Sequence, residues 1–261
     1  MSSGISWAER PRDFVGVRGP DAEDFLQRMV SNDVAALESG AACDALLLTP
    51  KARVIAPLRV LRRDADDFLV LTEPGLGDTL LRHLLRARFA AKAEIEPEEH
   101  SSLVVLGGSE GIPAAEYGPD ARELLDGKRP GGRPLTAEAL ERLRIASGAA
   151  AWGREIDERV LPAEADLVER AVSLTKGCYP GQEPIARLHY RGHVNRTLRR
   201  LEIDGDEPPP YDAELRHGDR VVGRVTSAVR DDGRIVALGY VRTDVPNDAE
   251  LTLEGGKARL H

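Results

Sequence analysis

Lys176-Gly177-Cys178-Tyr179-Pro180-Gly181-Gln182-Glu183, running on through Pro184-Ile185-Ala186-Arg187, is the most chemically unusual passage of the chain. Gly177 and Gly181 lack a Cβ and free the backbone, while Pro180 fixes φ and removes an N–H donor, so the segment predicts a tight, stiff loop. A cysteine is thereby held out on a rigid turn. Lys176, just upstream, and the N–H groups of a helix starting near Gly181 would both favour thiolate over thiol. Cys178 is therefore a candidate reactive cysteine.

Composition sets the outer limits. A chain of 261 residues can bury a large core in one or two domains. With 41% hydrophobic and 31% charged residues it reads as an ordinary soluble protein. No apolar run approaches the ~18 residues of a membrane span, and the N-terminus lacks a basic-then-apolar signal pattern, so a cytoplasmic location without a membrane partner is expected. Cys43 and Cys178 form neither a CxxC nor any other metal-ligand spacing. A net charge of −8 argues against nucleic-acid binding by the whole surface and leaves room for a local basic site.

The order Lys-Gly-Cys-Tyr-x-Gly-Gln-Glu, followed by Ile185-Ala186-Arg187 and Arg191-Gly192, resembles the signature of the YgfZ family. These are folate-binding proteins related to the T-protein of the glycine cleavage system and implicated in iron–sulfur cluster maintenance. Gly19-Pro20-Asp21-Ala22, Phe25-Leu26-Gln27 and Ser31-Asn32-Asp33-Val34 resemble the family's first helix and the turn after it. Leu143-Arg144-Ile145 to Gly148, Trp152-Gly153 and Leu161-Pro162-Ala163-Glu164-Ala165 resemble the approach to the signature. The resemblance implies an α+β protein: a T-protein-like mixed α/β folate-binding region over residues 1–190, built around a central cleft, and a C-terminal antiparallel β-barrel over 191–261. It further implies tetrahydrofolate as ligand, and iron–sulfur proteins or their assembly factors as partners. Carried over residue by residue, Cys178 and Lys176 become the chemical pair. Gly177, Tyr179, Gly181, Gln182, Glu183 and Arg187 become motif and cofactor-binding positions.

Read in order, Phe14 to Val17 predicts a strand, and Gly19-Pro20-Asp21 a turn into a helix capped by Asp21, with Phe25, Met29 and Val30 on its inner face. Ala42–Thr49 and Arg53–Leu61 predict a hairpin about Pro50-Lys51-Ala52, and Asp67–Thr72 a further strand. A helix over Leu76–Phe89 turns Leu76, Leu80, Leu84 and one of Leu81 or Leu85 inward. Lys92–Ile95 and Ser102–Leu106 predict strands. In the Gly- and Pro-rich stretch from Gly107 to Pro134 only a short helix near Asp120–Asp126 is placed, and Gly107-Gly108-Ser109 lacks the pattern of a phosphate loop. Thr136 caps a helix that Gly148 ends. Pro208-Pro209-Pro210 predicts a loop near a domain boundary. A strand around Val194–Ile203, with Arg220–Val229, Arg234–Arg242 and Ala249–Leu253, predicts the barrel, with Asp231-Asp232-Gly233 as a hairpin turn.

From Arg187 to Leu201 the chain carries Arg187, Arg191, Arg196, Arg199 and Arg200 with His189 and His193 and no acidic residue. Arginine's planar fork suits carboxylate or phosphate, so this island, Arg191, Arg196 and Arg199 above all, is a candidate anion patch for a polyglutamyl tail or a nucleic-acid backbone. The alternative is a set of solvated charges on alternating faces. The histidines lack further ligands at metal-binding spacing. A resident cluster of the usual kind takes four thiolates, so two distant cysteines suit a helper or transient carrier. Two competing functions stand beside this one. The first is a folate-dependent aminomethyl or methyl transferase, disfavoured because Val54-Ile55-Ala56-Pro57 stands where the resemblance puts a catalytic carboxylate. The second is a tRNA-binding or tRNA-modification accessory protein. A non-catalytic helper thus fits better than an aminomethyltransferase.

Overall fold

The computed structural model describes residues 4–261. Ser6–Glu9 (β1) and Asp13–Arg18 (β2) lead to the helix Ala22–Met29 (α1). Ala22, Phe25 and Leu26 are its buried face, with Met29 only partly covered and Val30 buried just past its end. Asp21 does not cap the helix with its side chain; its carboxylate accepts from the Lys92 N–H at 2.7 Å and so ties a distant loop to the helix start.

Ala42–Leu48 (β3) and Val54–Asp64 (β4) form the predicted hairpin, and Asp67–Thr72 (β5) returns beside β4. Gly77–Ala87 (α2) buries Leu80 and Leu84, and Leu81 joins them while Leu85 faces solvent. With Glu94–Glu98 (β6) these strands make an antiparallel sheet in the order β3-β4-β5-β2-β6. One face packs Val17, Val60, Phe68 and Val70 against Phe25, Leu26, Leu80 and Leu84. Each such large side chain stabilises the fold by about 1.5–3 kcal/mol through loss of apolar surface.

Ser102–Leu106 (β7), Ile112–Pro113 (β8), Ala121–Leu125 (β9) and Arg133–Pro134 (β10) join β1 in a second sheet, ordered β10-β1-β7-β9-β8. The stretch Asp120–Asp126 is therefore a strand and not the predicted helix. Ala121 and Glu123 are its buried, alternating positions. A carboxylate at a core position hides the apolar alternation that marks a half-buried strand.

Thr136 caps Ala137–Ala146 (α3) as predicted, its Oγ1 accepting from Ala139 N at 3.1 Å, and Gly148 follows the end at φ +73°. Val168–Ala171 (α4) and Gln182–Arg191 (α5) precede the barrel. Arg196–Asp204 (β11), Glu214–His217 (β12), Arg220–Asp231 (β13), Arg234–Arg242 (β14), Glu250–Leu253 (β15) and Gly256–Leu260 (β16) close in the order β11-β14-β13-β12-β15-β16. Asp231 pairs with Arg234, and Asp232 and Gly233 both have positive φ, the two-residue turn whose twist matches the strands it joins. The proline run lies inside the barrel, between β11 and β12, and marks no boundary. The architecture is α+β with a C-terminal closed antiparallel barrel.

A central apolar cluster joins the parts. Leu46, Leu48 and Val54 from the first sheet meet Ile145 of α3, Tyr179 and Ile185 of the signature, and Leu198, Leu238 and Tyr240 of the barrel.

Candidate functional site

The signature segment lies in this junction, and its glycines differ in what they do. Gly181 is the N-cap of α5 at φ +86°, and a Cβ there would stand 2.8 Å from Thr49 O and 3.1 Å from Ala52 Cα. Only glycine satisfies both the left-handed backbone and the close approach of the β3–β4 turn. Gly177 has no positive φ, and a Cβ on it would meet nothing within 4 Å.

Lys176 turns inward. Its ammonium donates to Val30 O at 2.8 Å and Asn32 O at 2.6 Å, and lies 5.3 Å from the Tyr179 ring centroid. Burial lowers its pKa to about 8, against the raising effect of Asp33 and Cys43. The amine predicted to activate Cys178 thus clamps the signature to the turn after α1. That turn is itself fixed: Ser31 Oγ donates to Ala171 O and accepts from Leu46 N, while Asn32 Nδ2 donates to Asp44 O. Gln182 Nε2 donates to Lys176 O at 3.4 Å. Tyr179 is buried, its hydroxyl has no partner among the described residues, and burial pushes its pKa up to about 12.

Cys178 is exposed at the tip of this pinned loop. Cys43, on β3, is half-buried, and burial, aided by Asp44, pushes its thiol up to about 12. The two cysteines therefore differ in kind: one is accessible, the other is held protonated.

Beyond Gly181 the signature turns outward. Glu183, Arg187 and Arg191 line a groove of about 620 Å³ between α5 and residues 161–169. Leu161, Pro162, Val168, Ile185 and Leu188 give it apolar walls, with Asp166 and Glu169 opposite the arginines' helix. Among the described residues, Arg187, Arg191, Glu183, Asp166 and Glu169 form no ion pair. The cationic island predicted as one patch is divided by the structure. Arg191 lies on this groove, Arg196 pairs with Glu164 at 3.1 Å and faces a second pocket beside the barrel, and Arg199 donates to Asn247 Oδ1 at 3.0 Å.

The expected central cleft lies between the two sheets and α3, and holds only about 80 Å³. An ion-pair lattice narrows it. Arg59 meets Asp44 at 2.9 Å, Glu116 at 2.8 Å and Glu123 at 2.6 Å, and Arg12 meets Glu123 at 2.8 Å and Glu73 at 3.2 Å. Burial alone would raise the Glu123 pKa, but Arg12 and Arg59 outweigh it and hold it at about 2. Asp44 is likewise held below the usual carboxylate range by Arg59 and Arg170, against its burial. Ala56 packs toward α1 and α2, and Pro57 lines the cleft. Arg12, Arg59, Glu116 and Glu123 escaped the sequence reading because their partners lie far apart in the chain and no local spacing links them.

Residues 13–126 match the GCVT N-terminal domain. The chain is similar to the tRNA-modifying protein YgfZ of Edwardsiella ictaluri, 28% identical over 288 residues, covering 91% of this chain and 84% of that one. It is also similar to an aminomethyltransferase of Chlorobium luteolum, 26% identical over 263 residues and covering 81% and 71% of the two chains. The crystal structure of glycine cleavage system aminomethyltransferase T from Bartonella henselae shares the fold, with a TM-score of 0.86 over 99% of this chain and 85% of that one, at 18% identity. Residues 13–126 thus carry the likeness to the GCVT N-terminal domain, and over about nine-tenths of its length the chain is similar to YgfZ proteins.

Proposed function

We propose that the protein is a tetrahydrofolate-binding helper of iron–sulfur proteins, in which Cys178 engages the cluster or its client as cargo. The observation that carries this reading is the placement of one exposed thiol on a loop pinned at both ends. Lys176 fixes the loop to Val30 and Asn32, and Gly181 fixes it against the β3–β4 turn. A thiol held this way meets a partner with little loss of conformational entropy.

The groove along α5 suits a folate better than the central cleft, where the lattice leaves no room for a bicyclic ring. Its apolar walls fit the flat ring system, Arg187 and Arg191 fit the glutamyl carboxylates, and Glu183, Glu169 or Asp166 can accept from the donor-rich pterin edge. When bound, a reduced folate supplies one-carbon or reducing chemistry; the residues described bind and orient it. The reading is non-catalytic because Pro57 offers no acid or base to the cleft, and the cleft's own Asp44, Glu73 and Glu116 are each engaged by arginine.

The test has two arms. Cys178→Ser should abolish support of iron–sulfur enzymes in cells lacking the wild-type protein, whereas Cys43→Ser should preserve it; full support by Cys178→Ser removes the thiol from the function. Tetrahydrofolate should bind the purified protein saturably, and Arg187→Ala with Arg191→Ala should weaken it by about tenfold or more, the scale of a lost charge-assisted hydrogen bond. No saturable signal at millimolar folate would remove the ligand.

A further inference from the structure

A second pocket of about 460 Å³ opens where residues 154–160 meet the barrel. It gathers five arginines from separate stretches: Arg154 and Arg159 from the loop, Arg196 of β11, Arg224 of β13 and Arg242 of β14. Tyr211 stands at its edge, 58% exposed, with the Arg154 guanidinium 5.9 Å from its ring centroid. Arg196 lies 4.5 Å from the Tyr240 ring centroid, and the Tyr240 hydroxyl is anchored on Glu155 O at 2.7 Å.

Four of the arginines share carboxylates: Arg159 with Asp157, Arg196 with Glu164, Arg224 with Asp212 and Glu214, and Arg242 with Asp244. Arg154 has no ion pair among the described residues. Asp157 and Asp212 themselves line the pocket. A bare anion or an acidic peptide would meet those carboxylates as repulsion. A nucleotide uses all three components: arginine for phosphate, an aromatic or guanidinium face for the base, and carboxylate for hydroxyl or amino donors of ribose and base. A duplex keeps its base faces stacked and leaves Tyr211 without a role.

We infer that this pocket binds single-stranded RNA, with a base stacked at Tyr211 and Arg154 and the backbone phosphates met by the neighbouring arginines. This goes beyond the folate and iron–sulfur reading and uses none of its residues.

The experiment is a fluorescence-anisotropy titration of the full chain with a short fluorescein-labelled single-stranded RNA between about 50 and 200 mM salt. Arg154→Glu with Arg159→Glu, both exposed, should weaken binding by at least about tenfold and reduce the log–log salt slope by about 1.4, two contacts at ~0.7 each. Tyr211→Ala should weaken it by about tenfold through lost stacking. Arg82→Glu with Arg86→Glu on α2 carries the same charge change away from the pocket and should leave affinity within about twofold of wild type. Absence of saturable binding by wild type would overturn the inference. So would an equal loss from the α2 variant, or equally tight binding of duplex RNA or of DNA of the same sequence.

Discussion

At the junction of the two sheets, Arg59 and Arg12 are buried and each meets several carboxylates at hydrogen-bonding distance. Along α5, Arg187, Arg191 and Glu183 line a wide groove, and none has an ion pair among the described residues. The difference follows from solvation. A charge removed from water persists only where partners replace the lost hydration, so the junction is a closed set in which every member depends on the others. Charges left at a groove edge keep their hydration and remain free to exchange it for a ligand. The first region holds the strands together; the second offers binding capacity that the fold itself does not consume.

Breaking the junction should produce the largest effect. Glu123→Ala leaves Arg12 and Arg59 short of a buried partner and Ser102 Oγ without its acceptor, and should cost about 3–5 kcal/mol in denaturant unfolding. Arg187→Ala should stay within about 0.5 kcal/mol. Equal costs for the two would erase the distinction. The same group sets acid stability. Its pKa is depressed from 4.5 to about 2 in the folded state, so its contribution is present above 4.5 and is lost as pH falls toward 2. Wild type should therefore lose stability over that window, and Glu123→Gln should show a flatter profile there.

A second comparison sharpens the role of the signature. Gly181→Ala forces a Cβ onto left-handed backbone and against Thr49 O, and should cost about 2 kcal/mol or more, with faster hydrogen exchange at the start of α5. Gly177→Ala meets open space and should stay within about 0.5 kcal/mol. Similar costs at both positions would mean that the loop is not seated on the β3–β4 turn.

These contrasts also mark what the sequence could and could not disclose. The hairpin over Ala42–Thr49 and Arg53–Leu61, the Thr136 cap and the Asp232-Gly233 turn were legible because each depends on neighbours within a few residues. The strand Ala121–Leu125 was not, since Glu123 belongs inside only once Arg12 arrives from the β1–β2 link and Arg59 from β4. The same limit applies to the sites. The signature stood out by its rare residue types, but reading Lys176 as a neighbour of the Cys178 thiol assumed that sequence proximity sets side-chain direction. The arginine island likewise dissolved, because alternation along β11 sends Arg196 and Arg199 to different partners.

Lys176 lies between the two regimes. Its charge is buried, yet its partners at Val30 and Asn32 are neutral carbonyls, which accept its protons without compensating its charge. Burial therefore lowers its pKa from 10.5 to about 8. Below pH 8 the group is protonated in both folded and unfolded chains, and its desolvation penalty is constant. Between about 8 and 10.5 the folded protein sheds the proton while the unfolded chain keeps it, so this group's contribution to stability should become more favourable as pH rises through that window. In ¹³C-lysine-labelled protein, one Cε resonance should titrate near pH 8 and disappear in Lys176→Met. A midpoint for that resonance near 10.5 would mean that water reaches the ammonium. The loop presenting Cys178 would then lack the clamp on which its fixed geometry depends.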